Sequence, residues 1–219
     1  MKLQPGILFS FEGIEGCGKT TQISLAATFL EGLGYRVLLT REPGATELGL
    51  EIRRLLLSPG FSPGVLSELL LYLADRHEHV SKIIRPHLED GYLVLVDRFI
   101  DSTWVYQGYA RQGDLRLIDY LNEVVTDKLK PVKTFLLDCE VEVGLRRARQ
   151  RNLVEGKSGL EDRFDQFDLS FHQRIRDGFL QLARENQDRF LILNASLEVD
   201  EIQRMIRQLL VQALDLVRG

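Results

Sequence analysis

The sequence predicts an α/β fold of three layers, in which helices cover both faces of a central parallel β-sheet. Three observations lead to this prediction. Five short and nearly uninterrupted apolar runs are spaced along the 219 residues, as strands buried on both faces should be. Helical patterns alternate with these runs, which favours right-handed parallel crossovers. A glycine-rich loop joins the first apolar run to the first helical pattern.

The predicted strands are short and rich in β-forming residues, and together they make a five-stranded parallel sheet. They cover Ile7–Phe11, Arg36–Thr40, Tyr92–Val96, Thr134–Asp138 and Phe190–Asn194.

The predicted helices repeat apolar residues at helical spacing. The first contains Ile23, Ala26, Ala27 and Leu30 and ends at Gly32 or Gly34. The second contains Leu66, Leu70, Leu73, His77 and Val80, and Pro86 interrupts or restarts it. The third is marked by Val141, Gly144, Leu145 and Ala148. The last runs through Val199, Ile202, Ile206, Leu209, Ala213 and Leu216, with Ser196 as its N-cap.

The composition is that of a globular protein, with 44% hydrophobic and 27% charged residues. We expect one domain over residues 1–219. The net charge of −4 argues against non-specific binding of nucleic acid or of an anionic membrane. No apolar run reaches membrane-spanning length and no signal peptide is visible. With only Cys17 and Cys139, no disulfide framework is visible, and a reducing cytoplasm is the simplest expectation.

The glycine-rich loop reads G-I-E-G-C-G-K-T over residues 13–20, which is the Walker A pattern in its strand–loop–helix context. Such a loop directs backbone N–H groups and a helix N-terminus at phosphate. Lys19 can reach the outer phosphates, and the hydroxyl of Thr20 can hold Mg²⁺. The expected nucleotide-binding residues are Gly13, Ile14, Glu15, Gly16, Cys17, Gly18, Lys19, Thr20 and Thr21. The alternative is a glycine-rich turn that contains Lys-Thr by chance.

Charged residues also follow the second and third predicted strands, where parallel sheets bind ligands. Arg41 comes after the second strand, and Asp97 with Arg98 after the third. We favour phosphate binding for Arg98 over a solvated surface arginine. Asp97 has two interpretations: an ion-pair partner that orients Arg98, or, as we prefer, a carboxylate near Mg²⁺. Glu15 either accepts a hydrogen bond from a sugar hydroxyl of the second substrate or faces solvent.

A basic segment begins in the third helical pattern, and its cations are Arg146, Arg147, Arg149, Arg151, Lys157 and Arg163. One interpretation is a solvated helix face balanced by nearby carboxylates. The other is a lid, over residues 147–164 approximately, that closes on ATP and excludes water. The charge run alone does not decide between them.

Taken together, these segments resemble the thymidylate kinase family over nearly the whole chain. The matching segments are Phe11–Gln22, Arg41–Gly44, Asp97–Phe99 with Asp101–Ser102, Tyr106–Gly108, Val143–Arg149 and Asp162–Phe164. Walker A alone indicates only a nucleotide-binding superfamily, whereas the other motifs at these separations are much more specific. The resemblance implies a Mg²⁺-dependent kinase that uses ATP to convert dTMP to dTDP on the route to dTTP. It also implies a homodimer.

The resemblance also implies roles for individual residues. Arg98, supported by Arg41 and Arg53, would bind the phosphate of dTMP. Tyr72 would stack on thymine, and Arg76, Thr103 and Gln107 would contact the base. Tyr106 would crowd the 2′ position of the sugar, and Glu15 would meet the 3′-hydroxyl. Lys19 and the lid arginines Arg149, Arg151 and Arg163 would stabilise the transferring group, with Mg²⁺ at Thr20 and Asp97.

Three residues depart from the family pattern or invite other chemistry. Ala45 replaces a usual glycine and would be strained at positive φ. Asp165 replaces a usual glutamate at the end of the lid. Cys17, next to a helix N-terminus, is either a reactive thiol or, as we favour, a small residue that fits.

There are two classes of alternative function: nucleotide-binding proteins without kinase activity, and kinases for other substrates. A GTP-dependent switch would carry an Asn-Lys-x-Asp motif, which is absent, and a silent binding module would not need two sets of arginines. The runner-up enzyme is a kinase for another nucleotide or deoxynucleoside, which Tyr106, Gln107 and the lid disfavour.

Overall fold

The computed structural model describes residues 6–58, 60–154 and 168–218. They form an α/β fold around a five-stranded, fully parallel sheet with the strand order β2-β3-β1-β4-β5. The strands are β1 Ile7–Glu12, β2 Val37–Arg41, β3 Leu93–Asp97, β4 Lys133–Asp138 and β5 Phe190–Asn194. Each lies within a residue or two of its predicted position, and the predicted fold class is confirmed.

The helices connect the strands and flank the sheet. They are α1 Lys19–Gly32, α2 Glu47–Leu57, α3 Val65–His79, α4 Arg85–Glu89, α5 Ile100–Thr103, α6 Leu115–Thr126, α7 Val141–Val154, α8 Leu169–Glu185 and α9 Val199–Arg218. Two π-helical segments, Val80–Ile84 and Trp104–Ala110, continue α3 and α5.

Three predicted helix boundaries can be compared with the structure. Helix α1 ends at Gly32, as predicted. Pro86 lies at the start of α4, so it restarts the helix after the π-helical segment. Ser196 was the wrong N-cap for α9, because that helix begins three residues later, at Val199. The backbone N–H of Ser196 instead donates to the side chain of Asn194, 2.9 Å away.

The alternation of side chains along the strands divides the core into two layers. On β1, Phe9 and Phe11 belong to the larger apolar cluster, whereas Leu8 points to the smaller one. On β3, Leu95 faces the larger cluster and Val94 the smaller. Helices therefore cover both faces of the sheet. Functional side chains are accessible at the carboxyl edge, where the strands end.

The carboxyl ends of three strands meet at one place. Asp97 at the end of β3 is in register with Phe11 on β1 and with Arg41 on β2. The chain reverses its direction across the sheet beside β1, and ligands bind at such switch points. Among the described residues, no helix is long and apolar enough to cross a membrane. The cytoplasmic location stays a prediction.

Candidate active site

The phosphate loop, residues 13–20, turns from β1 into α1 with positive φ at three glycines. These are Gly13, Gly16 and Gly18, with φ of 141°, 68° and 95°. A Cβ on Gly16 would lie 1.9 Å from the carbonyl oxygen of Gly144 on α7. Glycine is required there both by the backbone conformation and by the close approach of α7.

Lys19 lies inside this loop and is almost fully buried. Its Nζ donates to the carbonyl oxygens of Gly13 and Ile14, both at 2.9 Å. The ammonium group therefore rests on carbonyl groups of the loop that encloses the expected phosphates. An incoming phosphate would offer the ammonium a charged acceptor in place of these neutral ones.

The two predicted metal-binding residues are adjacent. The hydroxyl of Thr20 donates to Oδ2 of Asp97 over 3.2 Å. Both are oxygen donors of the kind that Mg²⁺ prefers, so the pair fits this cation. The described ion pair of Arg98 is with Glu15 and not with Asp97, which goes against the interpretation of Asp97 as the ion-pair partner of Arg98.

Arg98 adopts a left-handed backbone conformation, with φ of 68°. A non-glycine residue there costs on the order of 1 kcal/mol or more and persists only where its surroundings hold it. Its guanidinium donates to Glu15 at 3.0 Å and to Ser102 at 3.1 Å, and it lies over the ring of Tyr106. The strained turn aims the cation from the end of β3 into the cleft.

Glu15 is largely enclosed, so the solvent-facing interpretation was wrong. Its Oε1 accepts a 2.5 Å hydrogen bond from the hydroxyl of Tyr106 in addition to the bond from Arg98. Burial alone would raise the pKa of Glu15, but His172, Arg98, Lys19 and Tyr106 together hold this pKa well below its ordinary value. Glu15 is therefore a carboxylate that organises its neighbours.

A second carboxyl group, Glu12, lies beneath Arg98 and is fully buried. It accepts from the backbone N–H of Phe99 at 2.7 Å and from the hydroxyl of Ser102 at 2.6 Å. Burial and the nearby Asp101 raise the pKa of Glu12 to about 7, against the lowering effect of Arg98. Glu12 thereby fixes the turn that follows β3.

Arg76 is buried and almost completely paired within the protein. Its guanidinium donates to the buried Glu42 at 2.8 Å and to the backbone oxygen of Phe99 at 3.0 Å. It also donates to Thr103 and Asn122, both at 2.7 Å. These bonds hold the guanidinium rigidly at the floor of the cleft.

Gln107 is fixed in a similar way. Its Nε2 donates to Oε1 of the buried Glu68 at 2.7 Å, and Arg111 donates to the other oxygen at 2.5 Å. The orientation of the amide is therefore determined before any ligand arrives. Arg53 is held by a 3.0 Å bond from its guanidinium to the carbonyl oxygen of Pro43.

These side chains surround a cleft of about 240 Å³ at the carboxyl edge of the sheet, called here the acceptor cleft. It brings together all of the predicted substrate-binding residues, together with Lys19, Thr20 and Asp97. The predicted residues that line it are Glu15, Arg41, Arg53, Tyr72, Arg76, Arg98, Thr103, Tyr106 and Gln107.

A second cleft of about 440 Å³, called here the donor cleft, opens on the other side of the phosphate loop. Its far wall is formed by Ala195, Leu197, Val199 and Ile202, after β5. Arg147 also lines it and donates to the carbonyl oxygen of Ala195 at 2.9 Å. This wall could not be predicted from the sequence, because small and apolar residues after a strand carry no recognisable signal.

The predicted lid arginines have different positions. Arg151 is exposed and lines both clefts. Arg149 is exposed on the same helix and lines neither. Arg163, together with Asp165, lies outside the described residues, as do lid residues 155–164. The described residues of the predicted lid, 147–154, belong to helix α7, and the lid itself stays a prediction.

Two further expectations concern local chemistry. Ala45 is not among the residues with positive φ, which lies instead at Gly44, so the substitution causes no backbone strain. Cys17 is 1% exposed and contacts Lys19, which favours the interpretation of a small residue that fits. Burial raises the pKa of Cys139 to about 12, as expected for a packing residue.

Comparisons with known proteins agree with this geometry. The family model described as Thymidylate kinase matches residues 11–206. A thymidylate kinase of Geotalea daltonii is 49% identical over 197 residues, 90% of this chain and 92% of the relative. One of Trichlorobacter lovleyi is 45% identical over 210 residues, 95% of this chain and 98% of the relative.

A solved structure is also similar throughout. The crystal structure of thymidylate kinase from Ehrlichia chaffeensis superimposes with a TM-score of 0.75 and 37% identity. The match covers 94% of this chain and 99% of that one. The family model, the relatives and the solved structure agree with the motifs, and this chain belongs to the thymidylate kinase family of phosphotransferases.

Proposed function

We propose that this chain transfers the γ-phosphoryl group of ATP to the phosphate of dTMP, with the residue roles given below. The observation that carries the proposal is that the acceptor and donor clefts meet at the phosphate loop. They share Gly16, Lys19, Thr20 and Arg151. Two nucleotides bound in these clefts would lie end to end, with their phosphates at the shared wall.

In the donor cleft, the phosphates of ATP occupy the loop and its N–H groups, and the nucleoside extends toward Leu197 and Val199. Arg147 lies beside that wall through its bond to Ala195. Apolar side chains and an arginine plane suit the faces of a purine base.

In the acceptor cleft, Arg98 binds the phosphate of dTMP, with Arg41 and Arg53 nearby. Tyr72 supports the thymine ring, while Arg76, Thr103 and Gln107 present polar groups toward its edge. Tyr106 and Glu15 form the wall against the sugar. The arginines that line this cleft suit a dianionic acceptor.

The chemistry requires alignment and charge neutralisation more than proton transfer. A phosphate oxygen of dTMP attacks the γ-phosphorus in line and needs no strong general base, because it is already anionic near neutral pH. Lys19, Arg98 and Arg151 offset the repulsion between the two anions and stabilise the transferring group. The lid, over residues 147–164 approximately, excludes water around it.

Thr20 and Asp97 would hold the Mg²⁺ ion that accompanies ATP. When bound, this ion supplies charge neutralisation at the phosphate oxygens. In the protein itself, the 3.2 Å bond keeps the hydroxyl of Thr20 and the carboxylate of Asp97 side by side.

A coupled assay of ADP release tests the proposed acceptor. With ATP as donor, dTMP, dUMP, dCMP, dGMP and UMP are compared at equal concentrations, and we expect the highest kcat/KM with dTMP. A Lys19→Ala variant purified in parallel controls for contaminating kinases. A clear preference for another monophosphate would assign the acceptor cleft to that nucleotide instead.

We also propose that the chain forms a homodimer through α2, α3 and α6. These helices pack beside one another and carry an exposed apolar surface. Its members are Leu48, Leu50, Leu55, Leu66, Leu70, Leu117, Tyr120 and Val124. Contiguous apolar surface of this kind marks association sites.

Light scattering after size exclusion tests the dimer. The wild type should elute as a dimer, and a variant with Leu70→Glu and Val124→Glu should elute as a monomer. Leu169→Glu, an equally exposed leucine on α8, is the matched control and should leave the dimer intact. A monomeric wild type contradicts this proposal.

A further inference from the structure

Two buried polar groups beside the acceptor cleft have unused hydrogen-bonding capacity. Within the described ranges, Oε2 of Glu15 and both ring nitrogens of His172 are buried and have no hydrogen-bond partner. Nδ1 of His172 and Oε2 of Glu15 are 3.6 Å apart, slightly beyond a hydrogen bond. A buried polar atom without a partner costs about 1–3 kcal/mol, so this juxtaposition needs an explanation.

The position of His172 is fixed by the packing of α8. His172 lies in the first turn of this helix and is fully buried. Helix α8 packs closely on the π-helical segment that contains Tyr106: a Cβ on Gly178 would lie 2.8 Å from the ring of Tyr109. The imidazole is therefore held beside Oε2 of Glu15, whereas Arg98 donates to Oε1.

The two oxygens of Glu15 have different surroundings. Oε1 accepts hydrogen bonds from Arg98 and Tyr106, which form the phosphate-binding and sugar-facing parts of the acceptor cleft. Within the described part of the chain, Oε2 accepts no hydrogen bond, and Nδ1 of His172 lies 3.6 Å from it. A second donor at Oε2 would fix the plane of the carboxylate and, through it, the position of both partners at Oε1.

We propose that His172 is a positioning residue of the acceptor site, which holds Oε2 of Glu15 so that Oε1 keeps Arg98 and Tyr106 in place. The ligand served is a deoxynucleoside monophosphate, and this identity rests on the proposed function. When the acceptor phosphate draws Arg98 toward itself, Glu15 loses part of its positive partner. His172 then closes the short remaining gap and donates from Nδ1, which keeps the carboxylate paired.

Two variants separate the donor from the shape of the ring. His172→Phe keeps a buried ring and removes the donor, and we expect the KM for dTMP to rise about tenfold. His172→Asn carries an amide N–H close to the position of Nδ1, and its KM should stay within about threefold of the wild type. The KM for ATP should not change in either variant. Equal effects on both KM values, or no rescue by asparagine, would show a structural role only.

A double-mutant comparison tests whether His172 acts through Glu15. If it does, adding His172→Phe to Glu15→Gln changes the KM for dTMP by less than about twofold, because the carboxylate is already gone. Full additivity of the two effects would overturn the proposal.

A measurement without catalysis keeps this inference distinct from the proposed function. The ring nitrogens of the four histidines are observed by ¹⁵N NMR, and the His172→Asn spectrum assigns the signal of His172. We expect a proton on Nδ1 that shifts in Glu15→Gln and not in the surface control Glu31→Gln, which changes an exposed residue of α1. An unprotonated Nδ1, or no response to Glu15→Gln, refutes the pairing even if the chain phosphorylates dTMP. Failure of the wild type to use dTMP would refute only the proposed function.

Discussion

The arginines of the acceptor cleft and those of helix α7 differ in whether they are paired with other groups of the protein. In the acceptor cleft, Arg98 is paired with Glu15 and Ser102, and Arg76 is bonded to four groups of the protein. On helix α7, Arg149 and Arg151 are exposed, and the described residues give them no hydrogen bond or ion pair.

This difference indicates which half of the site is arranged before substrates bind. Arg98 and Arg76 are already aimed by their hydrogen bonds, so we expect the acceptor cleft to receive a phosphate with only a small shift of Arg98. Lys19 and Arg151 gain their charged partner only when the triphosphate arrives. We therefore expect acceptor-side substitutions to weaken binding of dTMP and donor-side substitutions to slow the transfer step itself.

The largest effect should come from Lys19→Ala. Removing the ammonium at the junction of the clefts should lower kcat by about 10³-fold or more, because it stabilises charge in the transition state. Coupled ADP release measures this, with the exposed Lys82→Ala as the matched control. A kcat within tenfold of the wild type would contradict the assignment of Lys19.

Arg98→Ala should have the second-largest effect. It should act mainly on the use of dTMP, whereas Lys19→Ala acts mainly on kcat. Loss of the charge-assisted bonds to the acceptor phosphate should lower kcat/KM for dTMP by about 10²–10³-fold and leave the KM for ATP unchanged. Arg204→Ala, an exposed arginine on α9, is the control. A change confined to the KM for ATP would reverse the proposed assignment of the two clefts.

Arg151 and Arg149 provide a direct test within helix α7, part of which belongs to the predicted lid. Arg151→Ala should reduce kcat by about 10²-fold, since this cation borders both clefts. Arg149→Ala should change kcat by less than about threefold. If the two substitutions had equal effects, the position of Arg151 between the clefts would carry no functional meaning.

The smallest effect concerns stability around Glu12. The pKa of Glu12 is about 7 in the folded protein and lies above the ordinary 4.5. The contribution of Glu12 to the free energy of unfolding is therefore fully present below about pH 4.5 and is lost as the pH rises through 7. Relative to Glu12→Gln, the wild type should lose up to about 3 kcal/mol in free energy of unfolding between pH 5 and pH 8. Urea denaturation at each pH measures the difference, with the exposed Glu31→Gln as the control. A constant difference would show that Glu12 does not titrate in this range.

Much of the sheet and its carboxyl edge could be predicted from the sequence, because each depends on local signals. Buried parallel strands appear in the sequence as short apolar runs, and the Walker A pattern marks where β1 ends. Arg98 and Glu15 could be named from their positions after the third strand and in the loop. Tyr72 and Thr103 could be named only through the family resemblance, since they carry no signal of their own.

The features that could not be predicted depend on tertiary contacts. Helices α6 and α8 were not identified, and with α8 the burial of His172 beside Glu15 was missed. The π-helical segment around Tyr106 has no sequence rule of its own. Nothing in a local pattern distinguishes Arg151 from Arg149, because their difference arises from where α7 lies against the loop.

The contact between Gly16 and Gly144 has a practical consequence for ligand design. With no room for even one methyl group between them, no ligand atom can pass between the loop and the base of α7. A chemist who joins a triphosphate mimic to a group aimed at Arg147 must therefore route the linker around this contact, through the donor cleft.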